Sequence, residues 1–495
     1  MGMEAFGDRP MVFSSASFLF LFFPLILVLY FASPRGAKNT VLLIASLFFY
    51  LWGGGRFTGM LLVSITVNWL LGLWVNQFRP SNIQINSEKT DLGKVDLGKV
   101  GLVSAWVFNL GFLGYYKYAN FFVEQVNTIS PSLFLGWDEI VLPIGISFFT
   151  FQALSYVVDV AEGLTPVQKR WDHFALYVAL FPQLIAGPIV RYRDIATQIQ
   201  RRSHSWSKVS QGAIRFAYGL VKKVVIADSI AKIAEATFEP GIPLSFSAAW
   251  LGLIAYTIQL YFDFSGYSDM AIGLGRIFGF RFPENFRRPY SATSISDFWR
   301  RWHITLSQWI RDYVYIPLGG SRAGVSATYR NLAIAFLFTG VWHGANWTFI
   351  LWGIYHGGWI MFERWQGRDR SPIPLPKAIP YRLVTLLIVM VGWVIFRAET
   401  VSDALMYYQG LGNFSTDLAW PDPLQEAWNR QSQLCLLLGS SIILLPGKIN
   451  LGRYLDWSNS QWAAGLKFAI ATLGFPMALL LTISNQFSAF LYFQF

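Results

Sequence analysis

The chain has 495 residues, of which 54% are hydrophobic, 17% aromatic and only 14% charged, and it carries a formal net charge of +11. A soluble globular protein carries roughly 25% charged residues, so the composition argues against a soluble enzyme and predicts an all-α polytopic membrane protein. A single cysteine, Cys435, rules out an intrachain disulfide and a cysteine cluster for metal, and reads as a small buried hydrophobe.

Phe13 to Ala32 is an uncharged run of about the 20 residues that a spanning helix requires. Ahead of it, Glu4 and Asp8 stand where a signal peptide would be basic, and no small-residue cleavage site follows. This first helix is therefore expected to stay as an anchor. Further candidate spans fall near 40–54, 58–77, 101–116, 141–158, 213–231, 247–264, 331–362, 382–396, 433–446 and 465–484. The chain reads as one integral membrane domain over 1–495, with no soluble linker. The Asp-Leu-Gly-Lys-Val repeat at 91–95 and 96–100 and the proline-rich 372–380 read as loops.

Orientation follows from Lys and Arg, which cytoplasmic loops retain. Basic clusters at 35–38, 79–99, 169–170, 191–223, 276–330 and 364–382 are placed inside. The stretches from Lys117 to Lys169, Lys232 to Arg276 and Arg397 to Arg430 hold no Lys or Arg between those residues, and their polar parts are placed outside. Residues 172–190 are apolar yet flanked by basic residues on both sides, and contain Pro182, Gly187 and Pro188. A re-entrant element fits, because broken backbone is tolerated at depth where protein surrounds it. The stretch 331–363 has the same character, either spanning twice as short helices or dipping in and returning.

His343 lies near the middle of that stretch, in Trp342-His343-Gly344-Ala345-Asn346-Trp347. An ionisable group at membrane depth is costly and is read first as functional. The densest basic region, 276–330, includes Arg300 and Arg301 within an aromatic and basic run that ends Arg301-Trp302-His303. Arginine suits bidentate contact with phosphate, so Arg300 and Arg301 are candidates for the donor side, against positive-inside topology and contact with anionic lipid. The run itself reads as a helix at the membrane interface or beneath the bundle.

These motifs, taken together, resemble the membrane-bound O-acyltransferase family. The resemblance is nearest to its bacterial branch, typified by the membrane subunit of alginate O-acetyltransferase. It runs from Met11-Val12-Phe13-Ser14-Ser15 through Leu142-Pro143-Ile144-Gly145, Ala186-Gly187-Pro188-Ile189 and Tyr261-Phe262-Asp263-Phe264-Ser265-Gly266. It continues through the run ending at His303, Tyr315-Ile316-Pro317-Leu318-Gly319-Gly320, and the motif around His343. The resemblance implies a ring of about ten to eleven transmembrane helices, with re-entrant helices around a central tunnel joining a cytoplasmic donor entrance to an extracytoplasmic funnel. It also implies that His343 is catalytic and that His303 is a second recurrent histidine nearer the cytoplasmic side.

The chemistry asks a hydroxyl to attack a thioester carbonyl, and a neutral histidine is the base best matched to that duty near neutral pH. His343 is expected as general base, and His303 in donor binding or proton handling. Asn346, one turn on if the segment is helical, would orient the imidazole or stabilise the oxyanion, with a core hydrogen bond the equal alternative. Asp263, Ser265 and Asp269 are expected to line the tunnel, or else to form a buried polar pair, and Gln152 with Tyr156 to line the same cavity. His356, thirteen residues beyond His343, would face away on a continuous helix and reads as structural. His173 and His204 read as solvated loop residues.

The expected donor is acetyl-CoA or an acyl carrier thioester, with no bound cofactor, no metal and no nucleic acid. The expected partners are membrane lipid, a secreted polysaccharide acceptor and an extracytoplasmic acetyltransferase, at the inner membrane. No His-Glu-x-x-His, P-loop or dinucleotide fingerprint is present. Three rivals remain: D-alanyl transfer to teichoic acid, a proton-coupled transporter or flippase, and a scaffold that only recruits a transferase. A transporter would be expected to show inverted repeats, and none is visible.

Overall fold

The computed structural model describes residues 11–79, 96–133, 136–368, 375–415, 419–445, 451–458 and 460–484. Glu4 and Asp8, the first pentapeptide copy at 91–95 and the prolines within 372–374 lie outside the described residues. Among the described residues every regular element is helical. They group into two compact units: residues up to His204 with Gly279–Phe282, and Ser205–Phe278 with the chain from Pro283 onward.

The first unit holds α1 (Phe18–Ala32), α2 (Lys38–Gly54), α3 (Phe57–Gln77) and α4 (Leu97–Ile129). It continues with α5 (Ile146–Glu162), α6 (Trp171–Ala179), α7 (Phe181–Leu184) and α8 (Tyr192–Gln200). The break expected within 172–190 is present as the interruption between α6 and α7 at Leu180. Phenylalanines 13, 18, 22, 49 and 181 form one aromatic core, and Asn68 and Asn109 exchange amide hydrogen bonds of 3.2 and 2.7 Å between α3 and α4. Buried reciprocal amides of this kind join helices whose apolar faces gain nothing from leaving lipid.

The second unit holds α9 (206–237, with a π-helical turn at Val221–Ala227), α10 (Phe246–Ile277), α11 (Ile295–Trp299) and α12 (Ile304–Ile310). Then come α13 (Val325–His343), α14 (Trp347–Trp365), α15 (Leu375–Arg397) and α16 (Val401–Leu411). The last are α17 (Asp422–Ala427), α18 (Arg430–Leu444), α19 (Leu451–Trp457) and α20 (Gln461–Ser484). Helices α9 and α10 approach to backbone contact. A Cβ on Gly219 would stand 2.5 Å from the Gly266 carbonyl oxygen, and one on Gly266 would stand 2.8 Å from that of Gly219. Glycine at both positions permits this close pairing.

The spans expected from the sequence fall largely on helix, but 13–15 and 141–145 precede their helices, and 331–362 is two helices joined by a three-residue turn. Four described helices are long and apolar enough to cross a membrane by length and composition: Phe57–Gln77, Leu97–Ile129, Ala378–Arg397 and Gln461–Ser484. Helix α1, Phe18–Ala32, is apolar but shorter than that measure. Helix α10 buries nearly its whole length, including Gln259, Asp263 and Asp269.

Candidate active site

Helix α13 ends at His343 because Gly344 leaves the helical region with φ −171°. The chain turns back into α14, whose N-cap is Asn346: its Oδ1 accepts from Thr348 N at 3.1 Å and its Nδ2 donates to the Glu399 carbonyl at 2.8 Å. The hairpin closes tightly because a Cβ on Gly340 would collide with the Phe349 carbonyl, and one on Gly344 with the Phe349 ring. His343 therefore sits at a hairpin tip, 13 residues beyond Arg330, or about 20 Å along the helix axis. The expectation that Asn346 lies one helical turn after His343 is corrected: the helix has ended, and both ends of the amide are engaged in capping and in holding Glu399.

His343 is 3% exposed. Its imidazole is walled by Trp342, Trp352 and Phe396, with ring centroids at 4.9, 5.0 and 5.1 Å, and Phe349 stacks at 6.3 Å. This cage keeps water away from the ring, and any charge that develops there is weakly screened.

His303 is fully buried and holds a left-handed backbone, φ 41°, at the start of α12. Such a conformation in a non-glycine residue stores strain and recurs at functional sites. The run containing it was expected as a helix at the membrane interface or beneath the bundle. Instead Phe298, Trp302 and His303 are core residues, and the His303 ring stands 5.9 Å from Trp342. Trp342 thus touches both imidazoles, so residues forty apart in sequence share one aromatic partner.

A residue that the sequence reading missed fixes His303. The Asn285 Oδ1 accepts from Thr305 N at 3.3 Å and from Thr305 Oγ1 at 2.8 Å, and lies 3.1 Å from His303 Nδ1. Since Oδ1 can only accept, His303 Nδ1 carries the proton and Nε2 is its basic nitrogen. The Asn285 Nδ2 donates to Ser268 Oγ at 3.2 Å. Asn285 has no motif signal of its own; only its place beside the His303 turn reveals the role.

The face expected for His356 is also corrected. The thirteen-residue spacing assumed a continuous helix, but the turn at 344–346 resets the phase. His343 and His356 now flank one indole, with Trp352 at 5.0 and 4.9 Å from them. The Trp299 Nε1 donates to His356 Nδ1 at 3.4 Å.

Asp263 and Asp269 do not stand as bare tunnel carboxylates. Asp269 pairs with Arg215 and Lys222 in a network that also takes in Glu284, Asp456 and Arg276, and Asp263 pairs with Lys223, which also holds Asp228. The cations come from α9, where the wide π turn carries Lys222 and Lys223 inward. Ser265 donates to the Tyr261 carbonyl, and with Asp269 it borders a small polar cavity of about 40 Å³ beside Asn285. Gln152 is buried in the first unit, as is Tyr156, whose hydroxyl accepts from Gln168 N at 2.9 Å. His204 and His173, expected in solvent, are half-buried there and bonded to Tyr30 and Asn39.

A larger cleft, about 510 Å³, opens between α11, α12, α13 and α14. Arg300, Arg311 and Arg364 line it with Trp299, Phe336 and Thr339, the last standing one turn before His343. Arg301 is not part of this lining; it pairs with Asp297 at 2.9 Å. Among the described residues no group of three His, Cys, Asp or Glu side chains is arranged to hold a metal ion.

Helices long and apolar enough to cross a membrane stand with a buried histidine cluster near an arginine-lined cleft, the pattern of a membrane protein. The sequence comparisons make the class specific. Residues 171–401 match the membrane-bound O-acyltransferase family, MBOAT. A protein of Azotobacter vinelandii named "Probable alginate O-acetylase AlgI" is 46% identical, over 88% of this chain and 84% of its own length. A protein of the same name from Pseudomonas putida is 41% identical over 98% of this chain and its full length. A peptidoglycan O-acetyltransferase of Helicobacter pylori is 37% identical over 81% of this chain and 80% of its own. The chain belongs to the membrane-bound O-acyltransferase family and is an O-acyltransferase.

Proposed function

We propose that this chain takes an acetyl group from a cytoplasmic thioester, acetyl-CoA or an acylated carrier, and passes it towards a secreted polysaccharide, alginate being the acceptor named for its relatives. The observation that carries the reading is the joining of His343 to His303 through Trp342, beside a cleft whose mouth is basic and whose walls are apolar. A phosphopantetheine thioester has that same polarity. The phosphates of coenzyme A, or the single phosphate of a carrier's arm, suit Arg300, Arg311 and Arg364, and the arm itself suits the surfaces of Trp299 and Phe336.

In the transfer, the acceptor hydroxyl attacks the thioester carbonyl carbon as His343 removes its proton. The tetrahedral adduct collapses with cleavage of the C–S bond. The thiolate then takes the proton back from the imidazolium, leaving an ester and a free thiol. His303, its Nδ1–H turned to Asn285, keeps Nε2 available for the proton exchange on the donor side. The site lies in a ring of ten to eleven helices in the inner membrane, with a tunnel to the far side and an extracytoplasmic acetyltransferase completing transfer to the polymer.

The test uses inside-out membrane vesicles supplied with acetyl-labelled coenzyme A. Release of free coenzyme A with label moving to an acceptor inside the vesicle supports the reading. Label that stays wholly with coenzyme A, in vesicles whose polymer is acetylated in the living cell, rules out free acetyl-CoA as donor.

A further inference from the structure

The first unit carries a cation cluster that no step of acyl transfer uses. Arg35 and Lys38 lie where α1 gives way to α2, on the face that the Lys and Arg distribution places inside. Lys38 Nζ donates to the Tyr30 carbonyl at 3.1 Å and stands 4.4 Å from the centre of the Tyr30 ring. Arg202 reaches the same place from the chain beyond α8. Its Nε donates to the Tyr30 hydroxyl at 2.9 Å and its Nη1 to Asn39 Oδ1 at 2.6 Å, and its guanidinium lies 4.6 Å from the centre of the Phe280 ring. Both Arg35 and Arg202 repel Lys38.

Every polar partner of Lys38 and Arg202 here is neutral: a carbonyl, a phenol, an amide. The neighbouring carboxylate, Asp172, is held by Arg170 through two bonds of 3.0 and 2.6 Å. Among the described residues no carboxylate pairs with Arg35, Lys38 or Arg202. Lys38 and Arg202 are half-buried, with exposed Arg35 adding its charge nearby, and like charges gathered there without an anion are costly, so an anion from outside the chain is the natural complement.

What lies beside the cluster indicates the kind of anion. Helix α1 presents Leu21, Leu25, Val28 and Phe31 as an exposed apolar face that ends at the cluster. A soluble phosphate has no use for that face, whereas a phospholipid would cover it with acyl chains and bring its headgroup phosphate level with Lys38. We propose that Arg35, Lys38 and Arg202 form a binding site for the headgroup phosphate of an anionic membrane phospholipid. Such intramolecular basic pockets at the cytoplasmic surface suit anionic headgroups.

The test measures the heat stability of the full-length detergent-purified protein as phosphatidylglycerol, phosphatidylcholine or inorganic phosphate is added. The wild type is expected to gain several degrees with phosphatidylglycerol and little with the other two. The double variant Arg35→Gln, Lys38→Gln is expected to bind phosphatidylglycerol about thirtyfold more weakly, and Arg35→Gln alone about fivefold more weakly. Arg35 is exposed, so the single variant remains informative if the double variant fails to fold. An equal gain with phosphatidylcholine, or an undiminished response in Arg35→Gln, overturns the proposal. A gain with inorganic phosphate matching that with phosphatidylglycerol assigns the cluster to a soluble anion and overturns the lipid assignment.

Discussion

Replacing Asn285 with Ala tests the claim that this amide sets the state of His303. The Asn285 Oδ1 is the acceptor for Thr305 N and Thr305 Oγ1 and faces His303 Nδ1, all in a site closed to water. The Thr305 hydroxyl can rotate to another partner. The Thr305 amide and the His303 Nδ1–H cannot, and a buried donor deprived of its acceptor costs about 1–3 kcal/mol. The variant should therefore lose about 2–6 kcal/mol of stability, seen as a lower midpoint for heat-induced loss of the monodisperse detergent-solubilised protein. Freed from its acceptor, the His303 ring can turn, and misplacement by about 1 Å can cost on the order of 100-fold in rate. Acetyl transfer per folded molecule, measured at a temperature where both proteins are intact, should fall accordingly. Asn285→Asp keeps an acceptor oxygen in place and should lose less activity than the alanine variant. Full activity per folded molecule in Asn285→Ala would refute the orienting role.

Asp269→Asn removes the charge facing both Arg215 and Lys222 and should cost about 3–5 kcal/mol, read as a fall in detergent-solubilised heat stability. An unchanged midpoint would show that water reaches those cations. Gly340→Ala sets a methyl against the Phe349 carbonyl, so it should open the α13–α14 hairpin, cost about 1–3 kcal/mol and lower acetylation by displacing His343. Normal acetylation at normal abundance would mean that the hairpin tolerates the change. Arg300→Gln with Arg364→Gln should raise the KM for acetyl-CoA about tenfold or more and leave kcat nearly unchanged. A fall in kcat alone would remove these arginines from donor binding.

The apolar runs were legible because a spanning helix needs one long stretch with few charges, and most of each such stretch falls on helix. His343 was legible for the same reason, as an ionisable group within such a run. What the sequence hid depends on contacts between segments far apart. Asp263 and Asp269 lie in a helix stretch without Lys or Arg, and their partners Lys222 and Lys223 arrive from a π turn that no apolar periodicity reports. The turn at Gly344 changes the helical phase, so spacing arguments from His343 to Asn346 and His356 failed together. Asn285 is one uncharged amide in a loop, and only the left-handed turn at His303 brings it into use.

The central claim, acyl transfer centred on His343, is met most directly by counting acetyl esters on the secreted polysaccharide of cells carrying His343→Ala, with the protein's membrane abundance matched to wild type. The account predicts that esters disappear while polymer and protein persist, with the Trp342 and Trp352 cage still folded around the vacant position. Wild-type ester content in that variant would contradict it and leave the chain a scaffold or conduit for chemistry performed elsewhere.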